Sequence, residues 1–112
     1  MKQRDIILVR FPYSNQAGSK IRPAIILSND RFNNTCEDVL VCAVTTNTEP
    51  APHSILTHQD DLEEGMFHQP SAVRADQLFK IEKKLVLKTI GKVRRSLFSK
   101  VAGAVEELIR LG

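Results

Sequence analysis

Tryptophan is absent from this 112-residue chain, and its aromatic side chains come from one tyrosine and five phenylalanines. Domains that hold unstacked nucleotide bases use several exposed aromatic side chains as platforms. The chain offers few candidates for that role: Phe11, Tyr13, Phe32, Phe67, Phe79 and Phe98. Tyr13 and Phe67 fall in predicted loops, so these two are the stronger candidates for contacts with a planar ligand.

Cysteine is scarce too, and long hydrophobic runs are missing. No apolar stretch approaches the roughly 20 residues that span a membrane, and the first residues show no signal-peptide pattern. We therefore expect a cytoplasmic protein whose two cysteines, Cys36 and Cys42, are reduced. Cys42 lies in an apolar run, so we expect it to pack as a small hydrophobic residue rather than act as a nucleophile.

The charge is unevenly distributed along the chain, although the net value is only +3. Residues 1–29 carry +4, residues 30–73 carry −7, and residues 74–112 carry +6. A basic first and last third suit a protein that meets a polyanion on one side. A solvated surface of mixed charge explains the same numbers, so charge permits a nucleic-acid partner without establishing one.

The order of apolar and turn-forming segments predicts one mostly β domain over residues 1–112. Short strands are predicted at residues 5–11, 24–28, 39–45, 53–57, 72–78 and 87–93. Loops are predicted at residues 13–21, 46–52 and 58–71. Successive strands without intervening helices favour a small antiparallel barrel.

The last segment has helical periodicity instead. Apolar residues recur from Leu97 to Ile109 at helical spacing, and Ser96 is the predicted N-cap. An amphipathic helix after a strand-rich body is expected to pack its apolar stripe on the barrel. Gly103 is expected to weaken this helix by about 1 kcal/mol or to admit a close neighbour.

Two opposite charges lie within one predicted strand, Val73-Arg74-Ala75-Asp76-Gln77. Alternate strand residues point to the same side, so Arg74 and Asp76 share a face about 6.5–7 Å apart. Charged groups on a face of otherwise apolar strands indicate either contact with water or a site for a polyanion. A surface ion pair worth well under 1 kcal/mol is the simpler alternative.

Four segments in series resemble the PemK/MazF family of toxin ribonucleases. They are the Asp5–Pro12 strand, Arg22-Pro23 with the apolar run after it, Ala43-Val44-Thr45-Thr46, and the Val73–Gln77 strand. The resemblance covers nearly the whole chain in the same order. It implies an SH3-like antiparallel barrel with a C-terminal helix, the fold of the CcdB, MazF and Kid toxins.

The resemblance also implies catalytic roles for Arg22 and Thr45 and, as in the PemK-like branch, for Arg74 and Asp76. Cutting RNA without a metal needs a base for the 2′-OH, a cation at phosphorus and a donor for the leaving oxygen. We assign Asp76 as the base and Arg74 as a phosphate clamp or acid. An arginine pKa above 12 makes electrostatic stabilisation the safer role for both arginines.

Two positions depart from the family pattern. Gln16 stands where the PemK-like branch can place a histidine, which leaves the general acid unassigned. Arg4 stands where the family usually has glycine, which should affect only a turn. Thr45 and Thr46, taken alone, are also ordinary β-branched strand residues.

The implied partners are single-stranded RNA, an acidic antitoxin and a second copy of the chain, with no cofactor and no metal. Antitoxin-assisted DNA binding also follows from the resemblance. The residues expected to bind RNA surround the catalytic set: Tyr13, Gln16, Ser19, Lys20, Thr46, Phe67 and Gln77.

Two alternatives stay open at this point. One is a gyrase-binding toxin of the CcdB type, which cuts nothing, and the other is a catalytically weak RNA-binding regulatory barrel. The segment from His58 to His68 holds two histidines and four carboxylates, but its spacing matches neither a zinc helix nor a calcium loop. A two-histidine ribonuclease using His53 and His68 is conceivable, although the spacing does not support it.

Overall fold

The computed structural model describes residues 1–11 and 20–112. Seven strands and two helices follow in this order: β1 Asp5–Phe11, β2 Lys20–Ile26, α1 Asp30–Thr35, β3 Asp38–Thr45, β4 Ser54–Thr57, β5 Leu62–Gly65, β6 Ser71–Glu82, β7 Val86–Val93 and α2 Arg95–Ile109. Single 3₁₀ turns precede β5 and β7, at Gln59–Asp61 and Lys83–Leu85. Within these residues, no helix has the length and apolarity needed to cross a membrane.

All the strands belong to one antiparallel sheet in the order β4-β6-β3-β2-β1-β7-β5. The strand β2 lies at its centre, between β1 and β3. The predicted mostly β fold with a C-terminal helix is confirmed. The central strands are almost continuously apolar because both of their faces are covered.

Two clusters of buried side chains explain this pattern. The helix-side cluster contains Ile6, Ile25, Cys42, Val44, Leu62, Val73, Val93, Leu97 and Val101, the last two from α2. The opposite cluster contains Ile7, Val9, Phe11, Ala24, Ile26, Val39, Val41 and Ile81. Neighbours such as Ile6 and Ile7 enter different clusters because successive strand residues point to opposite faces.

The longest strand, β6, is interrupted where it pairs with β3. Cys42 lies opposite Leu78, but the next residue, Ala43, lies opposite Arg74. Residues 75–77 therefore have no partner on β3 and form a three-residue bulge. A bulge bends its strand and redirects side chains out of the regular alternation.

Several element boundaries differ from those predicted. The strand β2 begins at Lys20, within the predicted loop 13–21, and β6 continues to Glu82. The predicted loop 58–71 contains β5, which pairs with β7 although three of its four residues are exposed. Pairing with a neighbour, rather than apolar content, makes this acidic segment a strand.

The helix α1 was not predicted, because six residues are too few to show helical periodicity. Its N-cap is Asn29, whose side chain accepts a hydrogen bond from the Phe32 amide at 2.9 Å. A buried hydrogen bond also connects the residue before the cap to the helix: the Ser28 hydroxyl donates to the Asn33 side-chain oxygen at 2.5 Å. An asparagine side chain meeting a donor two or three residues on is a common N-cap arrangement.

The predicted N-cap of α2 was wrong. Arg94 precedes the helix, makes no side-chain capping bond, and leaves Ser96 inside the first turn. The Arg94 side chain donates instead to the Asp60 carbonyl at 2.9 Å, and its amide donates to Asp61. Contact with the 3₁₀ turn, rather than a local hydroxyl, thus fixes the start of α2. Beyond the helix's own backbone, no atom of the described residues lies within 4 Å of the Cβ position at Gly103, so none of them packs closely against this glycine.

The turn before β1 holds an arginine where the family usually has glycine. Arg4 has a φ of 79°, a left-handed conformation that favours glycine. Its side chain offsets that cost by donating to the Val93 carbonyl at 3.0 Å and to Glu63 at 3.1 Å. The departure affects a turn, as expected, and also ties β5 and β7 to the start of the chain.

Candidate active site

The Arg74 guanidinium meets the Asp76 carboxylate through two hydrogen bonds. Nε donates to Oδ1 and an Nη donates to Oδ2, each at 3.2 Å. Both side chains stay partly open to solvent, with 27% and 36% exposure. These bonds, and then the positive charges of Arg74 and His53, hold the pKa of Asp76 below its usual range against the opposing effect of partial burial. The carboxylate is therefore ionised at neutral pH and reachable by a ligand.

The bulge holds this pair in place. The Ala75 amide, between the two charged residues, donates to the His53 carbonyl at 2.9 Å. On the other side the Cys42 sulfur lies 4.0 Å from the Ala75 carbonyl oxygen. Burial, and secondarily the Asp76 charge, raises the pKa of the Cys42 thiol to about 12. Cys42 is thus a neutral packing residue, as its apolar setting predicted.

Sheet register places the other predicted catalytic residues on the Arg74 face. Ala24 of β2 pairs with Ala43 of β3, and Ala43 pairs with Arg74 of β6. Cross-strand partners share a face, so these three side chains point the same way. Continuing the β2–β3 register by two residues on each strand places Arg22 opposite Thr45 on that same face. Arg22, Thr45 and Arg74 therefore lie on one face of the sheet, and Asp76 is hydrogen-bonded to Arg74 beside them.

Only small side chains lie between Arg22 and Arg74 on this face of the sheet, which leaves open space above them. Ala24 and Ala43 lie between the two arginines and are 0% and 7% exposed. Two strand spacings and one two-residue step separate the Cα atoms of Arg22 and Arg74 by roughly 12 Å. Long flexible side chains can close that gap around a single phosphate group above the alanines.

Thr45 ends β3 with its hydroxyl oxygen accepting a hydrogen bond from the Asn47 amide at 3.1 Å. Its hydroxyl hydrogen stays available for a ligand oxygen. Three of the predicted RNA-binding residues are exposed and lie next to the predicted catalytic residues in sequence: Thr46 after Thr45, Gln77 after Asp76, and Lys20 two residues before Arg22. The structure thus leaves these polar groups open to a ligand.

Of the four other residues predicted to bind RNA, the structure describes only Phe67. Tyr13, Gln16 and Ser19 lie outside the described residues. Phe67 packs partly against the helix-side cluster and also lines a separate cleft at the outer strand β4. That cleft, of about 440 Å³, is lined by Thr48, Leu56, Thr57, His58, Gln59, Phe67, His68, Gln69 and Pro70. Phe67 therefore stays a candidate base contact beside the catalytic set rather than within it.

His53 and Ser54 also lie beside the Arg74–Asp76 pair, although the sequence suggested His53 only as the partner of His68 and did not suggest Ser54. Ser54 pairs with Arg74, and the charge of His53 acts on Asp76. His53 has a φ of 64°, an uncommon conformation for a histidine. A histidine directly after Pro52 was the visible signal, but only the pairing of β4 with β6 shows where it lies.

Metal-ligand geometry gives no further site in the described part of the chain. Over residues 1–11 and 20–112, no three His, Cys, Asp or Glu side chains gather as a metal ion would require. The histidines at 58 and 68 line the Phe67 cleft without carboxylate partners there.

Solved structures with the same fold cover the chain end to end. An endoribonuclease in complex with its cognate antitoxin, from a mycobacterial species, matches with a TM-score of 0.79 and 18% identity over 100% of this chain and 99% of that one. The Mycobacterium tuberculosis toxin MazF-mt6 gives 0.77 and 22%, over 97% and 99%. MazE–MazF from Deinococcus radiodurans gives 0.82 and 18%, over 100% and 98%. At these identities the likeness shows the fold.

The family assignment rests on sequence instead. A comparison with curated proteins found no match. The family model for the PemK-like, MazF-like toxin of type II toxin–antitoxin systems matches residues 2–109, which is nearly the whole chain. The sheet order and the C-terminal helix agree with the fold of the matched toxin structures. This chain belongs to the PemK/MazF family of type II toxins.

Proposed function

We propose that this protein is a cytoplasmic, metal-independent and sequence-selective endoribonuclease, the toxin of a toxin–antitoxin pair. The observation that carries the proposal is the Arg74–Asp76 pair, set in a bulge on the same face as Arg22 and Thr45. A carboxylate base, two guanidinium groups and a hydroxyl are the groups that attack of a ribose 2′-OH on the adjacent phosphodiester requires.

Asp76 accepts the proton of the ribose 2′-OH. Each carboxylate oxygen has two lone-pair directions, so the bonds from Arg74 leave acceptor positions for the 2′-OH. The low pKa of Asp76 keeps the base ionised at neutral pH. The 2′-oxygen then attacks its own 3′-phosphorus, and the products end in a 2′,3′-cyclic phosphate and a 5′-OH.

Arg22 and Arg74 stabilise the charge that builds on the phosphate oxygens during this attack. A guanidinium matches two phosphate oxygens at once and stays charged at any physiological pH. Thr45 donates its hydroxyl to a third oxygen. Lys20, Thr46 and Gln77 extend the contact to neighbouring nucleotides, and we place Tyr13, Gln16 and Ser19 in the same role.

An antitoxin with an acidic, apolar-studded segment would cover the same site. An apolar groove lies beyond the bulge along β6, where Leu78, Phe79 and Lys80 line it. The other lining residues are Leu27, Ser28, Leu40 and Val105 of α2. Leu40 and Leu78 are 41% and 43% exposed, which is high for leucines of a sheet. A segment that folds on binding could lay carboxylates on Arg22 and Arg74 and apolar side chains in this groove.

A homodimer would present two such sites and share one RNA groove between two copies. Light scattering at micromolar concentration tests this part of the proposal. A dimer mass is expected, and a monomer mass at all concentrations would contradict it.

A gyrase-binding toxin is the second candidate, favoured by one observation. Apolar side chains are exposed at the end of α2 and just after it, where Ile109 is 75% and Leu111 98% exposed. Such a surface suits a toxin that acts by binding alone. It makes no use of the Arg74–Asp76 site, so the two candidates give different results with RNA.

The testing experiment is incubation of the purified protein with a long RNA in EDTA, followed by mapping of the ends. Cleavage at a short recurrent sequence with cyclic phosphate and 5′-OH ends is expected. Ends with a 5′-phosphate would contradict the mechanism, because they indicate attack by an external water. Intact RNA, together with inhibition of DNA gyrase, would favour the second candidate.

A further inference from the structure

The proposed cleavage leaves one proton without a donor. When the 2′-oxygen attacks, the 5′-oxygen departs as an alkoxide unless an acid protonates it. Arg22 and Arg74 are poor acids because a guanidinium holds its proton with a pKa above 12. The acid has to come from another group near Asp76.

His53 is the one imidazole of the described residues that the structure ties to the bulge. Its carbonyl accepts from the amide of Ala75, which separates Arg74 from Asp76. The next residue, Ser54, is the cross-strand partner of Arg74. His58 and His68 line the Phe67 cleft instead.

The backbone at His53 supports a functional position. His53 has a left-handed φ of 64°, which glycine or asparagine would adopt more readily than histidine does. The conformation turns the chain from Pro52 into β4 at the point where that strand meets Arg74. The His53 side chain is half-buried, and the Ala75 amide that donates to its carbonyl belongs to the residue directly before Asp76, so His53 and the base are neighbours in the fold.

We propose that His53 is the general acid of the RNA cleavage, which rests on the proposed ribonuclease function. Asp76 takes the proton from the 2′-OH as the bond from the 2′-oxygen to phosphorus forms. The bond from phosphorus to the 5′-oxygen breaks, and the His53 imidazolium gives its proton to that oxygen. Asp76 is left protonated and His53 neutral, and exchange with water returns both to their starting forms.

A substrate with a better leaving group tests this role directly. In an RNA oligonucleotide carrying one mapped cleavage site, sulfur replaces the bridging 5′-oxygen. A thiolate leaves without protonation, so loss of the acid should no longer matter. The variant is His53→Asn, because asparagine tolerates the left-handed backbone and cannot donate as an acid. His68→Asn makes the same change in the Phe67 cleft and serves as the matched control.

We expect His53→Asn to slow single-turnover cleavage of ordinary RNA by about 10²–10⁴-fold. On the sulfur-containing substrate the same variant should match the wild type within a few-fold. The His68→Asn variant should resemble the wild type on the ordinary substrate. Circular dichroism and urea unfolding of each variant report whether the fold is retained.

Two results would overturn the inference while leaving the ribonuclease proposal in place. One is an unchanged rate for His53→Asn on ordinary RNA. The other is an equal loss on both substrates, which would mean that His53 supports binding or structure. A wild-type protein that cleaves neither substrate would overturn the ribonuclease proposal and this inference together.

Discussion

Arg74 and Asp76, two residues apart in sequence, form a two-bond ion pair at the point where β6 bulges away from β3. Residues two apart in a regular strand have Cα atoms about 7 Å apart and share a face. In the bulge the guanidinium and carboxylate are joined by hydrogen bonds of 3.2 Å, and both stay accessible. The ion pair holds an ionised carboxylate and a cation in fixed positions relative to each other.

Removal of Arg22 should abolish most activity without unfolding the protein. Arg22 is exposed on β2, so Arg22→Ala removes no core contact. Loss of one donor to the transition state typically lowers the rate by about 10²–10³-fold. Lys100→Ala is the matched control, because it removes one exposed positive charge from α2, on the other side of the sheet. Equal losses in the two variants would show that only overall charge matters.

The acid limb of the pH–rate profile should depend on Arg74. Cleavage requires ionised Asp76, whose pKa lies below its usual range mainly because Arg74 donates to it. Activity of the wild type should therefore persist as pH falls below the ordinary aspartate range. In Arg74→Gln the pKa rises, and the limb of kcat/KM should move to higher pH.

The comparison variant is Lys80→Gln, which removes a positive charge from the same strand. Lys80 is 65% exposed and pairs with Asp38 rather than Asp76. Its acid limb should coincide with that of the wild type. An unmoved limb in Arg74→Gln would mean that Asp76 is not the group whose ionisation controls cleavage.

Two glycine-to-alanine substitutions should change stability in opposite directions. Gly103→Ala adds a methyl group into open space on α2 and should raise the free energy of unfolding by about 1 kcal/mol. Gly91→Ala would place its Cβ 2.5 Å from the Glu64 carbonyl oxygen, so it should disrupt the β5–β7 pairing and destabilise the protein. Urea unfolding measures both. A destabilised Gly103→Ala variant would contradict this account of the helix.

Antitoxin and RNA should compete for the same arginines. Added antitoxin is expected to displace RNA and to stop cleavage in parallel, and rising salt should weaken both complexes because both rest on charge neutralisation. Fluorescence anisotropy with labelled RNA and a cleavage assay on the same samples measure the two effects. Tight antitoxin binding with unchanged RNA binding and cleavage would show that the sites are separate.

The sequence predicted the strands that carry the site but not how their residues meet. Alternation alone placed Arg74 and Asp76 on one face, and the apolar runs located β1, β3 and β7 closely. The bulge that contains Asp76 depends on the pairing of Cys42 with Leu78 and of Ala43 with Arg74, a long-range register that local pattern does not encode. The same limit applies to His53, whose place depends on β4 pairing with β6.

Predictions from local sequence were wrong where a tertiary contact, rather than a local preference, determined the structure. Serine is a preferred N-cap residue type, yet Arg94 rather than Ser96 is the N-cap of α2, because its side chain and amide donate to the carbonyl oxygens of Asp60 and Asp61. The acidic segment Leu62–Gly65 has few apolar residues and still forms a strand, because β7 offers a free edge. Such features depend on the assembled sheet.

In the proposed mechanism the ribose 2′-OH next to the cleaved bond is the nucleophile, activated by Asp76. The most direct measurement uses an RNA oligonucleotide with one mapped cleavage site and a matched oligonucleotide carrying a single 2′-deoxy nucleotide there. We expect the wild-type protein to cut the first oligonucleotide in EDTA and to leave the second intact, and we expect Asp76→Asn to cut the first more slowly by orders of magnitude. Cleavage of the 2′-deoxy oligonucleotide at the same position would contradict this mechanism.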